Sequence, residues 1–274
     1  MEMPADSRVT LGQRSLHQLR LFFVALQFFT RLPIPGWVGF EPAWLNHASR
    51  YFPAIGILVG LLTAGCYFLA ALVWPQPVAV LLSTAFGIWI TGAFHEDGFA
   101  DMCDGFGGGM TAQRVFEIMK DSRIGAYGAI GIVLMLLAKC VALWSLPPQA
   151  VAPALLAAHP LSRLMSAALI WRMRYAKEEG KAKPLGQAMS GGEFAIAAVA
   201  GLAPAVLLGA VGKLPLAGLM LAALLMMAVA FWLARLFRRR IGGYTGDCLG
   251  GVQQATELAC YLGLLASFGP LFAG

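Results

Sequence analysis

Residues 52–74 read FPAIGILVGLLTAGCYFLAALVW, and not one of these positions is Asp, Glu, Lys or Arg. A helix crossing the hydrocarbon of a bilayer needs about 20 such residues, so this stretch reads as a membrane span. Working outward, comparable apolar runs occupy Pro77–Phe94, Ala126–Leu146, Val151–Trp171, Phe194–Gly212, Leu214–Leu236 and Ala255–Ala273. The pattern predicts an all-α fold, a polytopic integral membrane helix bundle of about seven transmembrane helices. Composition agrees, with 59% apolar residues, 12% charged residues and a mean hydropathy of +0.71. A typical globular domain carries roughly 25% charged residues, so this chain cannot cover a water-facing surface. A secreted disulfide scaffold, a disordered tail and a nucleic-acid reader are excluded. The partner is a lipid bilayer and not a nucleic acid.

Before the first span, Arg8, Arg14 and Arg20 precede the apolar residues Leu21 to Phe29, and Thr30-Arg31-Leu32-Pro33-Ile34-Pro35 follows without a small-x-small cleavage site. The segment is too short to span, and Leu16 to Thr30 is expected to form an interfacial or re-entrant helix behind a flexible N-terminus of residues 1–15. The five cysteines, Cys66, Cys103, Cys140, Cys248 and Cys260, are scattered without zinc spacing and are expected to be reduced thiols. The stretches before residue 51, at 95–125, at 172–193 and at 235–254 hold 17 of the 20 basic residues, whereas the opposite links offer only Lys213. The positive-inside bias therefore predicts a cytoplasmic face for the richer side. All 14 acidic residues are expected there or at its membrane edge, although orientation does not require them. No repeat or linker divides the chain, and residues 1–274 read as a single integral membrane domain.

The acids concentrate in His95-Glu96-Asp97-Gly98-Phe99-Ala100-Asp101-Met102-Cys103-Asp104-Gly105. On a helix, Asp97, Asp101 and Asp104 fall at about 0°, 40° and −20°, on one face. Like charges so spaced repel, and a hard divalent cation with oxygen ligands, Mg²⁺ or Mn²⁺, is the ordinary compensation. The plainer alternative is a solvated acidic helix end. Glu96 and His95 point to the flanks, where they support or pack. Downstream, Lys120-Asp121-Ser122-Arg123 mixes both signs. Asp121 would add a ligand and Lys120 or Arg123 would hold phosphoryl oxygens, unless Lys120 only anchors the membrane edge. In the glycine-rich stretch 242–251, Gly243, Thr245 and Asp247 suggest backbone N–H groups offered to an anion and a carboxylate from another helix. The preceding Arg238-Arg239-Arg240 reads as an anchor beside anionic lipid. Within the spans stand Lys139, His159 and Arg163; His159 reads as a core histidine and Arg163 as a residue near a phosphate site. Gly56, Gly60, Gly125, Gly128 and Gly131 mark close helix packing.

These residues resemble one family, the cobalamin synthases, also called adenosylcobinamide-GDP ribazoletransferases. The likeness runs from Phe28-Phe29-Thr30-Arg31-Leu32-Pro33 through His95 to Gly105, Asp121-Ser122-Arg123-Ile124-Gly125, Arg174-Tyr175-Ala176-Lys177-Glu178-Glu179-Gly180 and Gly242-Gly243-Tyr244-Thr245-Gly246-Asp247. Glu96 stands where the family pattern leads one to expect an apolar residue. The resemblance implies an enzyme that joins α-ribazole, or its 5′-phosphate, to adenosylcobinamide-GDP with release of GMP. It further implies Mg²⁺ dependence, the bacterial inner membrane with the active site facing the cytoplasm, and association with other late cobalamin-assembly enzymes. On that reading Asp97, Asp101, Asp104 and Asp121 are the Mg²⁺ ligands, and these four with Asp247 form the catalytic set. Lys120, Arg123, Arg163, Thr245 and Gly243 bind substrate, and any of the carboxylates could take the proton of the attacking hydroxyl. The rival from another class is an ion-coupled transporter with the acids as its cation site. A passive membrane scaffold leaves the stacked aspartates unexplained.

Overall fold

The computed structural model describes residues 11–41, 43–176 and 188–269. In chain order the helices are α1 (Leu11–Phe29), α2 (Trp44–Ala48) and, after a 3₁₀ turn at Ser49–Tyr51, α3 (Phe52–Ala71), α4 (Gln76–Thr91), α5 (Phe94–Gly108) and α6 (Ala112–Met119). Then follow α7 (Ala126–Trp144), α8 (Pro148–Arg172), α9 (Gly191–Ala210), α10 (Leu216–Ile241) and α11 (Gly246–Ala266). Starts and stops follow local chemistry. Prolines sit in the first turns of α3, α4 and α8, where the missing N–H costs nothing. Ser190 and Glu193 close a capping box on α9, and Gly242 ends α10 in the left-handed conformation at φ 76°.

Among the described residues, five runs are long and apolar enough to cross a membrane: Trp44–Ala71, Ala126–Trp144, Pro148–Arg172, Gly191–Ala210 and Leu216–Ile241. α4 and α5 together make a sixth if they form one broken span, for they meet at 89°. The large residues on the outer faces, among them Phe68, Trp89, Val206, Phe231 and Trp232, are exposed, as lipid-facing residues of a bundle are. This is a helical membrane protein, but its spans differ from the seven expected in two places.

The first difference is inside the run Pro77–Phe94. Gly92 and Ala93 both adopt left-handed conformations, with φ of 65° and 57°, and an alanine there costs about 1–2 kcal/mol. The chain turns across the bundle instead of continuing along it. Arg31, just after α1, braces the corner by donating its backbone N–H to Ile90 O at 2.8 Å. The second difference is the last run. α11 begins at Gly246, ahead of Ala255, and its buried face carries Gln253, Gln254, Thr256 and Glu257. It packs against α5, α7, α8 and α10, so protein surrounds it where lipid was expected. Residues 270–273 of that expected span lie outside the described residues.

At the other end α1 begins at Leu11, so residues 11–15, expected to be flexible, are helical; residues 1–10 lie outside the described residues. Helix crossings are close where glycine faces a neighbour. A Cβ on Gly56 would stand 2.6 Å from His159 O, and one on Gly60 3.1 Å from Leu155 O, which explains the tight α3–α8 pair.

Candidate active site

α5 carries the acid string as a helix, as its spacing predicts, and presents it in graded burial: Asp97 is exposed, Asp101 half-buried and Asp104 buried. Neither Asp97 nor Asp101 has a hydrogen-bond or ion-pair partner among the described residues. Asp104 is turned away to another task. Its Oδ2 accepts from Gly125 N at 2.7 Å and its Oδ1 from Gly128 N at 2.8 Å. A single carboxylate thus satisfies two of the otherwise orphaned N–H groups that open α7, and its charge suits the positive end of that helix. Glycine is needed at both positions, because a Cβ at either would strike the carboxylate.

The start of α11 closes on the same helix. A Cβ on Gly98 would lie 3.1 Å from the Cα of Asp247, and one on Gly250 3.1 Å from His95 O. Backbone touches backbone, which brings Asp247, in the first turn of α11, against Gly98. Three glycines of the 242–251 stretch, Gly243, Gly250 and Gly251, allow close approach between segments of the chain, whereas Gly242 and Gly246 face open space. Gly243 leaves room for Arg174 O within a short bridge in which Tyr244 N donates to Arg174 O at 3.1 Å and Ala176 N to Tyr244 O at 2.9 Å. Thr245 caps α11, its hydroxyl accepting from Cys248 N at 3.3 Å. Residues 177–187, including the remainder of the Arg174 to Gly180 motif, lie outside the described residues.

Asp121 and Arg123 stand in the α6–α7 link at the rim. The guanidinium binds the carboxylate through Nε at 3.0 Å and Nη2 at 2.7 Å. Those hydrogen bonds hold the Asp121 carboxyl down at about 2. Arg123 is 86% exposed and lies two residues before Gly125, so it borders the Asp104 contact while remaining open to a ligand. Lys120 is exposed at the end of α6. Arg240, at the end of α10, donates to Gly109 O behind α5, so one arginine of the anchoring triplet also fixes the acidic helix.

The model of the cobalamin-5-phosphate synthase family matches residues 21–265. The chain belongs to this family. It is 48% identical over 257 residues to the adenosylcobinamide-GDP ribazoletransferase of Leptothrix cholodnii, covering 92% of this chain and 97% of that protein. The proteins of the same name from Shewanella frigidimarina and Shewanella halifaxensis are 43% and 44% identical, with at least 90% of this chain and 95% of each relative covered. No solved structure matches it.

For a cobalamin-5-phosphate synthase the fit of a divalent cation can be tested on the donors present. Among the described residues no group of three or more His, Cys, Asp or Glu side chains is placed to hold a metal ion. Mg²⁺ does not need one, since it ordinarily keeps several waters and is held by one or two carboxylates together with substrate phosphates. Asp97 and Asp101, unpartnered on one face of α5, fit that mode as a pair. Asp104 and Asp121, expected as ligands beside them, are already engaged through both oxygens, by Gly125 N and Gly128 N and by Arg123.

What the acid pattern did not reveal is a polar network beneath α5. Glu257, expected at the membrane edge, is 2% exposed and lies 2.7 Å from Lys139 Nζ. Gln253 donates to it at 2.6 Å and Tyr261 at 2.9 Å, and His159 lies 3.6 Å away. Gln254 joins Lys139 at 3.0 Å to Glu96 at 2.9 Å. The unexpected acid of the family motif thus faces a buried polar partner. Arg163 is 2% exposed, donates through Nη1 to His159 O at 3.0 Å and leaves its Nε without a partner. A signal existed in the sequence: polar residues at 253, 254, 257 and 261 share a face of an otherwise apolar helix.

Proposed function

We propose that this protein is an adenosylcobinamide-GDP ribazoletransferase, joining α-ribazole or its 5′-phosphate to adenosylcobinamide-GDP and releasing GMP. The observation that carries the reading is the pair of unpartnered carboxylates on α5, on a helix that packs against the first turn of α11 at Gly98 and holds, through Asp104, the link that carries the exposed guanidinium of Arg123. A hydroxyl oxygen of the ribazole forms a bond to the corrinoid-bearing phosphorus. The bond from that phosphorus to the bridging oxygen breaks, and GMP leaves with its electron pair. The hydroxyl proton passes to one of the α5 or α11 carboxylates. Asp97 and Asp101, with Asp247, would hold Mg²⁺, which supplies neutralisation of diphosphate charge. Arg123, whose Nε and one Nη2 N–H hold Asp121, would offer Nη1 and its second Nη2 N–H side by side to phosphoryl oxygens, a geometry that an ammonium lacks, and Lys120 adds charge at the same rim.

The basic residues favour a cytoplasmic orientation for this rim at the inner membrane, where other late cobalamin-assembly enzymes could associate with it. Two experiments test the reading. Activity of the purified protein in detergent, with no transmembrane gradient, separates enzyme from ion-coupled transporter. Single cysteines introduced at 110 or 190 in a cysteine-free background should resist an impermeant reagent in intact cells; labelling there would reverse the orientation.

A further inference from the structure

Above the buried network lies a cavity of about 350 Å³, within the range of small-molecule pockets. α1, α3, α5, α8 and the start of α11 all contribute to its wall. The lining is aromatic and aliphatic, led by Phe28, Phe29, Phe52, Phe94 and Tyr244, and many of these rings lie edge to face. His95 stacks on Phe29 with ring centres 5.2 Å apart. The polar groups on its wall include Arg163 and Ser166. The Ser166 hydroxyl is already donating to Leu249 O at 2.9 Å. The buried Nε–H of Arg163 has no partner, and an unpaired buried donor is costly enough to need a reason.

We infer that this cavity receives the flat aromatic base of the nucleoside substrate, with Arg163 Nε–H donating to the base's unsubstituted ring nitrogen. The inference rests on the ribazole-transfer reading above, since the base of ribazole is a benzimidazole. The chemistry matches part for part. A fused bicyclic ring fills aromatic walls edge to face and face to face, and its one free ring nitrogen is an acceptor for the orphaned donor of Arg163. A phosphate would be poorly served by so apolar a lining, which turns Arg163 from the phosphate contact expected into a base contact. Position agrees as well. Gly246 and Gly250 line the cavity, and Asp247 stands between them on the side of Gly98. A nucleoside with its base inside therefore directs its ribose hydroxyls toward the carboxylates that would accept the proton.

The test uses the purified full chain with adenosylcobinamide-GDP and two nucleosides, α-ribazole and its indole analogue, in which the free ring nitrogen is a CH. The unaltered protein should use α-ribazole with a KM lower by about tenfold, the usual effect of leaving one buried donor unpaired. Arg163→Met should bring the two nucleosides to equal KM. Leu249→Trp, which fills the cavity without touching the donor, should raise KM for α-ribazole by about tenfold and leave KM for adenosylcobinamide-GDP unchanged. Should Arg163→Met fail to fold, the analogue comparison on the unaltered protein and Leu249→Trp still decide. Equal KM for the two nucleosides on the unaltered protein, or an unchanged α-ribazole KM in Leu249→Trp as expected if the cavity holds only an acyl chain, would overturn the assignment while product formation upholds the transferase reading. No joined product from the unaltered protein would instead remove the reading on which the assignment rests.

Discussion

Asp101→Asn and Asp104→Asn remove the same charge from the same helix, yet the structure assigns them different consequences. The Asp104 carboxylate gives one oxygen to each of Gly125 N and Gly128 N, at 2.7 and 2.8 Å. Asparagine keeps one acceptor and turns an NH₂ toward the other N–H. One charge-assisted hydrogen bond is worth about 1.5–3 kcal/mol and an unsatisfied buried donor costs about 1–3 kcal/mol. Lost charge at the α7 N-terminus adds up to about 2 kcal/mol, while relief of repulsion from Asp101 offsets part of the sum. A net loss of about 3 kcal/mol corresponds to a fall in Tm of about 6–12 °C for a chain of this size. Asp101 has no such bonds, and its substitution relieves repulsion from Asp97 and Asp104, so its Tm should hold or rise. Both variants should lose turnover by about a hundredfold or more. Thermal unfolding in detergent, followed beside GMP release, reads both quantities. Equal Tm for the two variants would refute the capping role of Asp104, and near-normal turnover by Asp101→Asn would refute its place in the site.

Arg123→Lys keeps the charge but loses the two-donor geometry, so activity should drop while Tm stays unchanged, because the side chain is 86% exposed; full activity would remove Arg123 from substrate binding. Glu257→Gln breaks the buried pair with Lys139 and should cost about 3–5 kcal/mol, read as a lower Tm. The double change Lys139→Met with Glu257→Met should recover part of that loss, and a double variant less stable than Glu257→Gln would show that the network, not unpaired charge, sets the cost. Gly98→Leu should separate α5 from α11, since a Cβ alone already comes within 3.1 Å of Asp247 Cα; unchanged turnover would argue against Asp247 acting with the α5 acids.

The expected spans over residues 126–146, 151–171, 194–212 and 214–236 correspond to α7, α8, α9 and α10 because apolar runs bounded by proline and glycine are a local property. The α5 acids were legible for the same reason, since a spacing of four and three residues fixes one face on any helix. The bend at Gly92 and Ala93 was not, because it interrupts a run whose hydropathy is continuous. Nor was the role of Asp104, whose partners are backbone N–H groups 21 and 24 residues away and carry no side-chain signature. The partner of Lys139 is a different case. Glu257 and Gln254 meet it only after α7 and α11 have packed, so a lone lysine in one apolar run and a polar stripe in another stayed separate clues. The close packing of Gly250 and Gly251 on α5 was not legible either, because the same residue serves a ligand or a close crossing and only the neighbouring backbone tells them apart.

On this mechanism one protein, without a gradient, exchanges a phosphoryl bond between two substrates. The measurement is simultaneous quantification of GMP and joined corrinoid from purified protein given adenosylcobinamide-GDP, α-ribazole and Mg²⁺. The two products should form in equal amounts, dependent on both substrates and lost when Mg²⁺ is chelated. GMP without the joined corrinoid, or equal rates with Mg²⁺ removed, would contradict it.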